Sequence, residues 1–98
     1  MGTYMVLTRV SPEAVKTPGR REELCHEVEA RIKERQLPIQ WIANYAVTGR
    51  FDYLDIFEAP DDTTAMKLSA ILRSYGHATT ETWSAVPWEQ FVKAIRDL

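Results

Sequence analysis

Residues 51–58 read Phe-Asp-Tyr-Leu-Asp-Ile-Phe-Glu, a run of strand formers in which both alternating sets are apolar. Leu54 and Ile56 fall on one side, and Phe51, Tyr53 and Phe57 fall on the other with Asp55 among them. A strand with one wet face needs only one apolar set, so this one has to be covered twice. The stretch Ile39–Val47 repeats the pattern, with Ile42 and Ala46 opposing Trp41 and Tyr45. Whatever fold the chain adopts must supply a layer on each side of these strands.

Turn signals set the order of the elements. Residues 3–10 read as a first strand ending at Ser11-Pro12. Thr17 and Pro18 offer a cap and a first-turn proline for a helix over residues 20–35, whose stripe is Leu24, Cys25, Val28 and Ile32. Glu27 with Arg31 and Glu29 with Lys33 stand at i, i+4 on its solvated surface. Pro38 stops that helix, and Ile39–Val47 and Phe51–Glu58 form a hairpin about Thr48-Gly49-Arg50. Asp61 is an N-cap for a second helix carrying Ala65, Leu68, Leu72 and Tyr75, with Gly76 beyond its end. Ala78–Val86 is a threonine-rich edge strand, and Pro87 opens a short helix with Trp88, Phe91, Val92 and Ile95 on one side.

The order β-α-β-β-α-β predicts an α+β, ferredoxin-like domain spanning residues 1–98, with a four-stranded antiparallel sheet and an extra C-terminal helix. Strands one and three take the centre, and both helices cover one face. The aromatic face of strand three is then left for something else, and four apolar side chains on the terminal helix are too few to hide it. Two sheets packed face to face solve this, so a homodimer or higher even oligomer of the dimeric α/β-barrel kind is expected. The 98-residue length agrees, because a lone chain of this size buries only about 65% of its unfolded surface.

Composition removes several classes. Twelve basic against fourteen acidic residues give a net charge of −2, which offers no field for a phosphate backbone, so nucleic acid is not an expected partner. The apolar runs fall short of the ~20 residues of a membrane span, and the start lacks the pattern of a secretory leader, so a cytoplasmic protein without membrane contact is expected. A single cysteine, Cys25, forms no internal disulfide, and its place on the helix stripe predicts a buried small hydrophobe. No phosphate-cradling glycine loop, nucleophile elbow or dinucleotide fingerprint is present, and the two histidines sit in no metal-binding spacing. No metal and no cofactor are expected.

Thr3-Tyr4-Met5-Val6-Leu7-Thr8 with Ser11-Pro12-Glu13, Tyr45 to Asp52, Phe57-Glu58-Ala59-Pro60-Asp61 and Thr80-Glu81-Thr82 together resemble the GYD-domain proteins. The likeness runs from about residue 3 to residue 91, and the naming Gly-x-Tyr-Asp motif stands as Gly49-Arg50-Phe51-Asp52, with phenylalanine in the tyrosine position. The resemblance implies a dimeric α/β barrel of a largely uncharacterised family. The wider superfamily includes cofactor-independent monooxygenases, cyclases, lactone isomerases and haem-binding relatives.

Several residues have the chemistry for a site. Asp55 falls on the aromatic face between Tyr53 and Phe57, where a dimer would bury it and raise its pKa toward acid/base use. His77 follows Gly76 on a loop able to aim it into a cleft. Tyr45, Phe51, Tyr53, Phe57 and Trp83 are the aromatics for a planar apolar ligand. Asp52, beside the glycine turn, is expected to accept backbone N–H bonds. Two functions follow: a small-molecule-binding barrel, with cofactor-independent enzymes of an aromatic or apolar metabolite in its range, or a non-catalytic oligomeric binding module. A haem-binding barrel is a more distant third.

Overall fold

The computed structural model describes residues 1–98. Its elements are β1 (Gly2–Arg9), α1 (Arg20–Glu34), β2 (Gln40–Ala46), β3 (Tyr53–Ala59), α2 (Asp62–Arg73), β4 (Thr79–Ala85) and α3 (Trp88–Ile95). The sheet order is β2-β3-β1-β4 with every neighbouring pair antiparallel. This is the ferredoxin-like arrangement: β1 and β3 are central, and α1 and α2 are crossover helices on one face.

The core lies between α2 and that face. Ala65 and Leu68 of α2 pack on Val6, Phe57 and Ala59, and Tyr4 completes the cluster. Phe57, Leu68 and Val6 are fully enclosed, each worth about 1.5–3 kcal/mol of transfer free energy. Tyr4 stacks on Phe57 with ring centroids 5.6 Å apart, and Trp41 meets Phe57 edge-on at 5.9 Å. Asp61 caps α2 as its sequence position predicts, accepting the Thr64 backbone N–H at 2.8 Å. Ser69 ties α2 to β4 through hydroxyl bonds with Thr80 (3.0 Å) and Thr82 (2.7 Å).

Three expectations change. First, the helices cover the face of Tyr53, Asp55 and Phe57, so the face left open is that of Leu54 and Ile56. Period two separates two faces without marking which one meets the helices, and here the large rings stack inward. Second, the pairing of β2 with β3 slips by one residue between Trp41 and Ala43, leaving Ile42 as a bulge. Trp41 therefore pairs with Phe57 on the covered face and Tyr45 with Leu54 on the open one, rather than sharing a side. Third, α1 starts after Gly19, held at φ 85°, and Thr17 and Pro18 lie upstream of the cap. Arg20 takes both Glu23 and Glu27 at 3.1 Å, in place of the i, i+4 pairs that spacing offers.

The open face carries Met5, Leu54 and Ile56, half-buried, between Tyr45 (57% exposed) and Trp83 (48% exposed). No helix packs on it, and α3 approaches no other element, leaving Trp88, Phe91 and Ile95 exposed. The accessible surface of 7092 Å² accordingly exceeds the roughly 5,700 Å² of a self-contained monomer of this mass. The radius of gyration, 15.0 Å, likewise exceeds the roughly 13 Å of a compact chain of this length.

Candidate functional site

The backbone of α1 lies close to α2 but to no strand, and the gap beneath it is a cavity of about 430 Å³. Of its 13 lining residues, 7 are hydrophobic, so its walls suit an organic molecule. The sheet floor supplies Thr8, Trp41, Asn44, Tyr53 and Asp55, which share the inward parity of their strands. From α1 come Arg21, Glu22, Cys25, Val28 and Glu29, at the i, i+3, i+4 spacing of one helix face. Leu72, Val10 and Ala78 close the remaining sides.

The polar groups divide by what they already bond. Arg21 donates to the Tyr53 hydroxyl at 2.8 Å, holds its guanidinium 5.9 Å from the ring centre, and approaches Asp52 at 4.0 Å. Asp55 has one side-chain partner, the Asn44 amide, which donates to Oδ1 at 2.7 Å. Burial pushes the Asp55 carboxyl above its usual range, and the Asn44 bond opposes this in part. The Thr8 hydroxyl is enclosed and unpartnered, although Thr8 is only 4% exposed.

Cys25 departs from its sequence expectation. It is an exposed thiol on the cavity wall rather than a buried hydrophobe, because α1 stands off the sheet. Partial desolvation raises its pKa, reinforced by the negative charges of Glu29, Asp55 and Glu22.

The sequence candidates do not all converge. Asp55 and Tyr53 line the cavity, whereas His77 is an exposed turn residue with φ 49° and does not. Phe57 is core, and Phe51 lies half-buried with the Arg50 guanidinium 5.6 Å from its ring centre. Tyr45 and Trp83 belong to the open face. Thr8, Arg21 and Asn44 join the site without having stood out in the sequence. Thr8 carries a signal all the same, as a polar residue on the inward parity of a strand whose other members are Tyr4 and Val6.

The Gly49-Arg50-Phe51-Asp52 segment is a structural clip. Gly49 turns at φ 130°, and the Asp52 carboxylate accepts the Val10 backbone N–H at 2.9 Å. The Asp52 N–H donates to the Thr8 carbonyl at 2.8 Å, while its carbonyl accepts from Val47 at 2.9 Å. The motif thus pins the end of β1 to the β2–β3 connection, next to the cavity floor.

The GYD domain model matches residues 4–95. The chain belongs to the GYD domain family. A Thermus thermophilus relative named glutamine synthetase and cystathionine beta-lyase binding protein is 28% identical over 96 residues, covering 98% of this chain and 100% of the relative. The crystal structure of TTHA0845, also from Thermus thermophilus, is similar with a TM-score of 0.59 at 24% identity, covering 89% of this GYD protein and 95% of that chain. The leucine response regulatory protein of Mycobacterium tuberculosis is similar with a TM-score of 0.58 at 14% identity over 88% of this chain. This GYD protein spans about half of that regulator, 51%. Both structural likenesses are of fold.

Proposed function

We propose that this GYD protein works as a homodimer, or a higher even oligomer, that closes its open sheet faces into an α/β barrel and holds a small, largely apolar molecule beneath α1. The cavity carries this reading: about 430 Å³ of mainly apolar wall with Asp55 and Asn44 on its floor. Asp55 is the group placed to give or take a proton. His77 lies outside the cavity, so we assign binding and no reaction. Thermal denaturation with a library of apolar small molecules tests the assignment. Ligands that raise the Tm of the wild-type protein and leave a Val28→Trp variant, whose cavity is filled, unchanged support it. A library without effect on the wild type, or with equal effect on both proteins, overturns it.

A second reading has its own support in the Thermus relative, whose name describes an enzyme-binding protein and whose whole length this chain matches. Here α3, with Trp88 73% exposed beside Phe91 and Ile95, is the apolar element free to meet another protein. Co-sedimentation with glutamine synthetase and with cystathionine beta-lyase tests it. Loss of a wild-type complex on Trp88→Ala would support this reading, and the absence of any complex with the wild type would remove it.

A further inference from the structure

The cavity beneath α1 is unbalanced in charge. Asp55 on its floor and Glu22 and Glu29 on its helical wall oppose a single cation, Arg21, which Tyr53 and Asp52 already engage. All three acids line the one cavity, around Cys25 on its helical wall. No three His, Cys, Asp or Glu side chains are grouped to hold a metal ion. Of the three acids Asp55 alone is half-buried, and it has a neutral amide as its side-chain hydrogen-bond partner and no salt bridge.

The hydroxyl of Thr8, a residue of the same cavity floor, is an unsatisfied polar group near Asp55. It is enclosed and without a hydrogen bond in an otherwise well-satisfied interior. On the β1–β3 ladder Thr8 faces Tyr53 and Val6 faces Asp55, so Thr8 and Asp55 are diagonal neighbours on one face, about 7–8 Å apart by strand geometry. Trp41 and Tyr53 are the rings on the same floor.

Resting on the small-molecule reading above, we propose that the ligand is an organic amine, an ammonium group on an apolar and preferably aromatic body. The ammonium sits at Asp55 beside Asn44, and the body lies between Trp41, Val28 and Leu72. An ammonium supplies the charge-assisted bond that Asp55 lacks. A carboxylate ligand would face the acidic wall, and a neutral alcohol would gain the bonds without the charge.

The test uses phenethylamine, phenethyl alcohol and phenylacetate, which share one body and differ in charge, titrated into the whole protein near neutral pH and followed by the amide NMR shifts of Thr8, Asn44 and Asp55. The amine should bind about tenfold or more tightly than the alcohol, with phenylacetate weakest. In Asp55→Asn, which keeps the side-chain shape, the amine should fall to the affinity of the alcohol. Equal binding of amine and alcohol to the wild type overturns the amine assignment and leaves the small-molecule reading standing. Tighter binding of phenylacetate does the same, and no binding by any of the three removes both. The wild-type series decides the matter even where Asp55→Asn fails to fold.

Discussion

Replacing Ile56 by lysine places a charge at the centre of the sheet face that no helix covers. Ile56 pairs with Met5 on β1 and with Ala43 on β2, and side chains of its parity point away from the core cluster of Val6, Phe57 and Leu68. A lone chain would keep the lysine in water, so the protomer should fold with its β-sheet and helical circular dichroism intact. In a face-to-face dimer the same ammonium is driven toward an apolar interface at about 2–3 kcal/mol per site, the low end of the cost of burying an ion because the lysine stem can snorkel its charge toward the rim. A two-fold interface counts it twice, giving about 4–6 kcal/mol and a dimer weakened roughly 10³–10⁴-fold. Sedimentation equilibrium at micromolar concentration reads this directly. The wild type should sediment at twice 11.3 kDa and Ile56→Lys at 11.3 kDa. An Ile56→Lys protein that sediments with the wild-type mass, or a wild type that is monomeric, refutes the placement of the interface.

Further outcomes follow from the same structure. Asp52→Ala leaves the Val10 N–H without its acceptor and should lower stability by about 1–3 kcal/mol, read as a Tm drop of several degrees, while the mass of the oligomer is unchanged. Asp55 binds its proton more tightly when folded, so its contribution to stability is present below the ordinary carboxylate pKa of 3.8 and is lost as pH rises through the higher folded value. Asp55→Asn should therefore gain stability over the wild type as pH rises above that range in urea titrations, and a wild type that gains instead would contradict the burial of Asp55. Gly76→Ala forces a side chain onto φ 61° with its Cβ 3.0 Å from Leu24 Cδ1 and 3.3 Å from Val10 Cγ1, and should cost about 1–2 kcal/mol in chemical denaturation. The Cys25 thiol, raised in pKa, should react with iodoacetamide more slowly near neutral pH than a free model thiol, and more slowly still when the cavity is filled.

The order and type of every element are legible in the sequence, because each boundary has a local chemical cause. Asp61 caps α2 through its own side chain, Gly49 takes the left-handed turn between β2 and β3, and Pro38 keeps α1 from running into β2. The sheet order follows, since a ferredoxin-like chain of this element sequence has few alternatives. What local chemistry does not contain is the sidedness of a strand that is apolar on both faces. Tyr53, Asp55 and Phe57 do alternate with Leu54 and Ile56, but only packing against Ala65 and Leu68 decides that the rings go inward. The bulge at Ile42 is hidden for the same reason: Trp41, Ile42, Ala43 and Tyr45 are all acceptable on either face, so no pattern marks the slip.

The site is half legible. The strand pattern places Asp55 on one face with Tyr53 and Phe57, to be covered by a second sheet; in the structure Asp55 lines the cavity beneath α1, so the cover on that face is α1. That exchange brings in Arg21, Cys25 and Val28, whose relation to Asp55 depends on how far α1 stands from the sheet, a distance that helical periodicity does not encode. His77 has the right chemistry on a loop of the wrong direction, since its positive φ belongs to the turn after Gly76 and its neighbour Ala78 faces the cavity instead.

Native mass spectrometry of the protein as isolated tests the central claim most directly. A dimeric amine-binding barrel should appear as a species of twice 11.3 kDa carrying a small organic molecule that is released on denaturation and whose mass can be read in the supernatant. A bare species at 11.3 kDa, or a dimer of bare mass that no apolar amine extends, would contradict it.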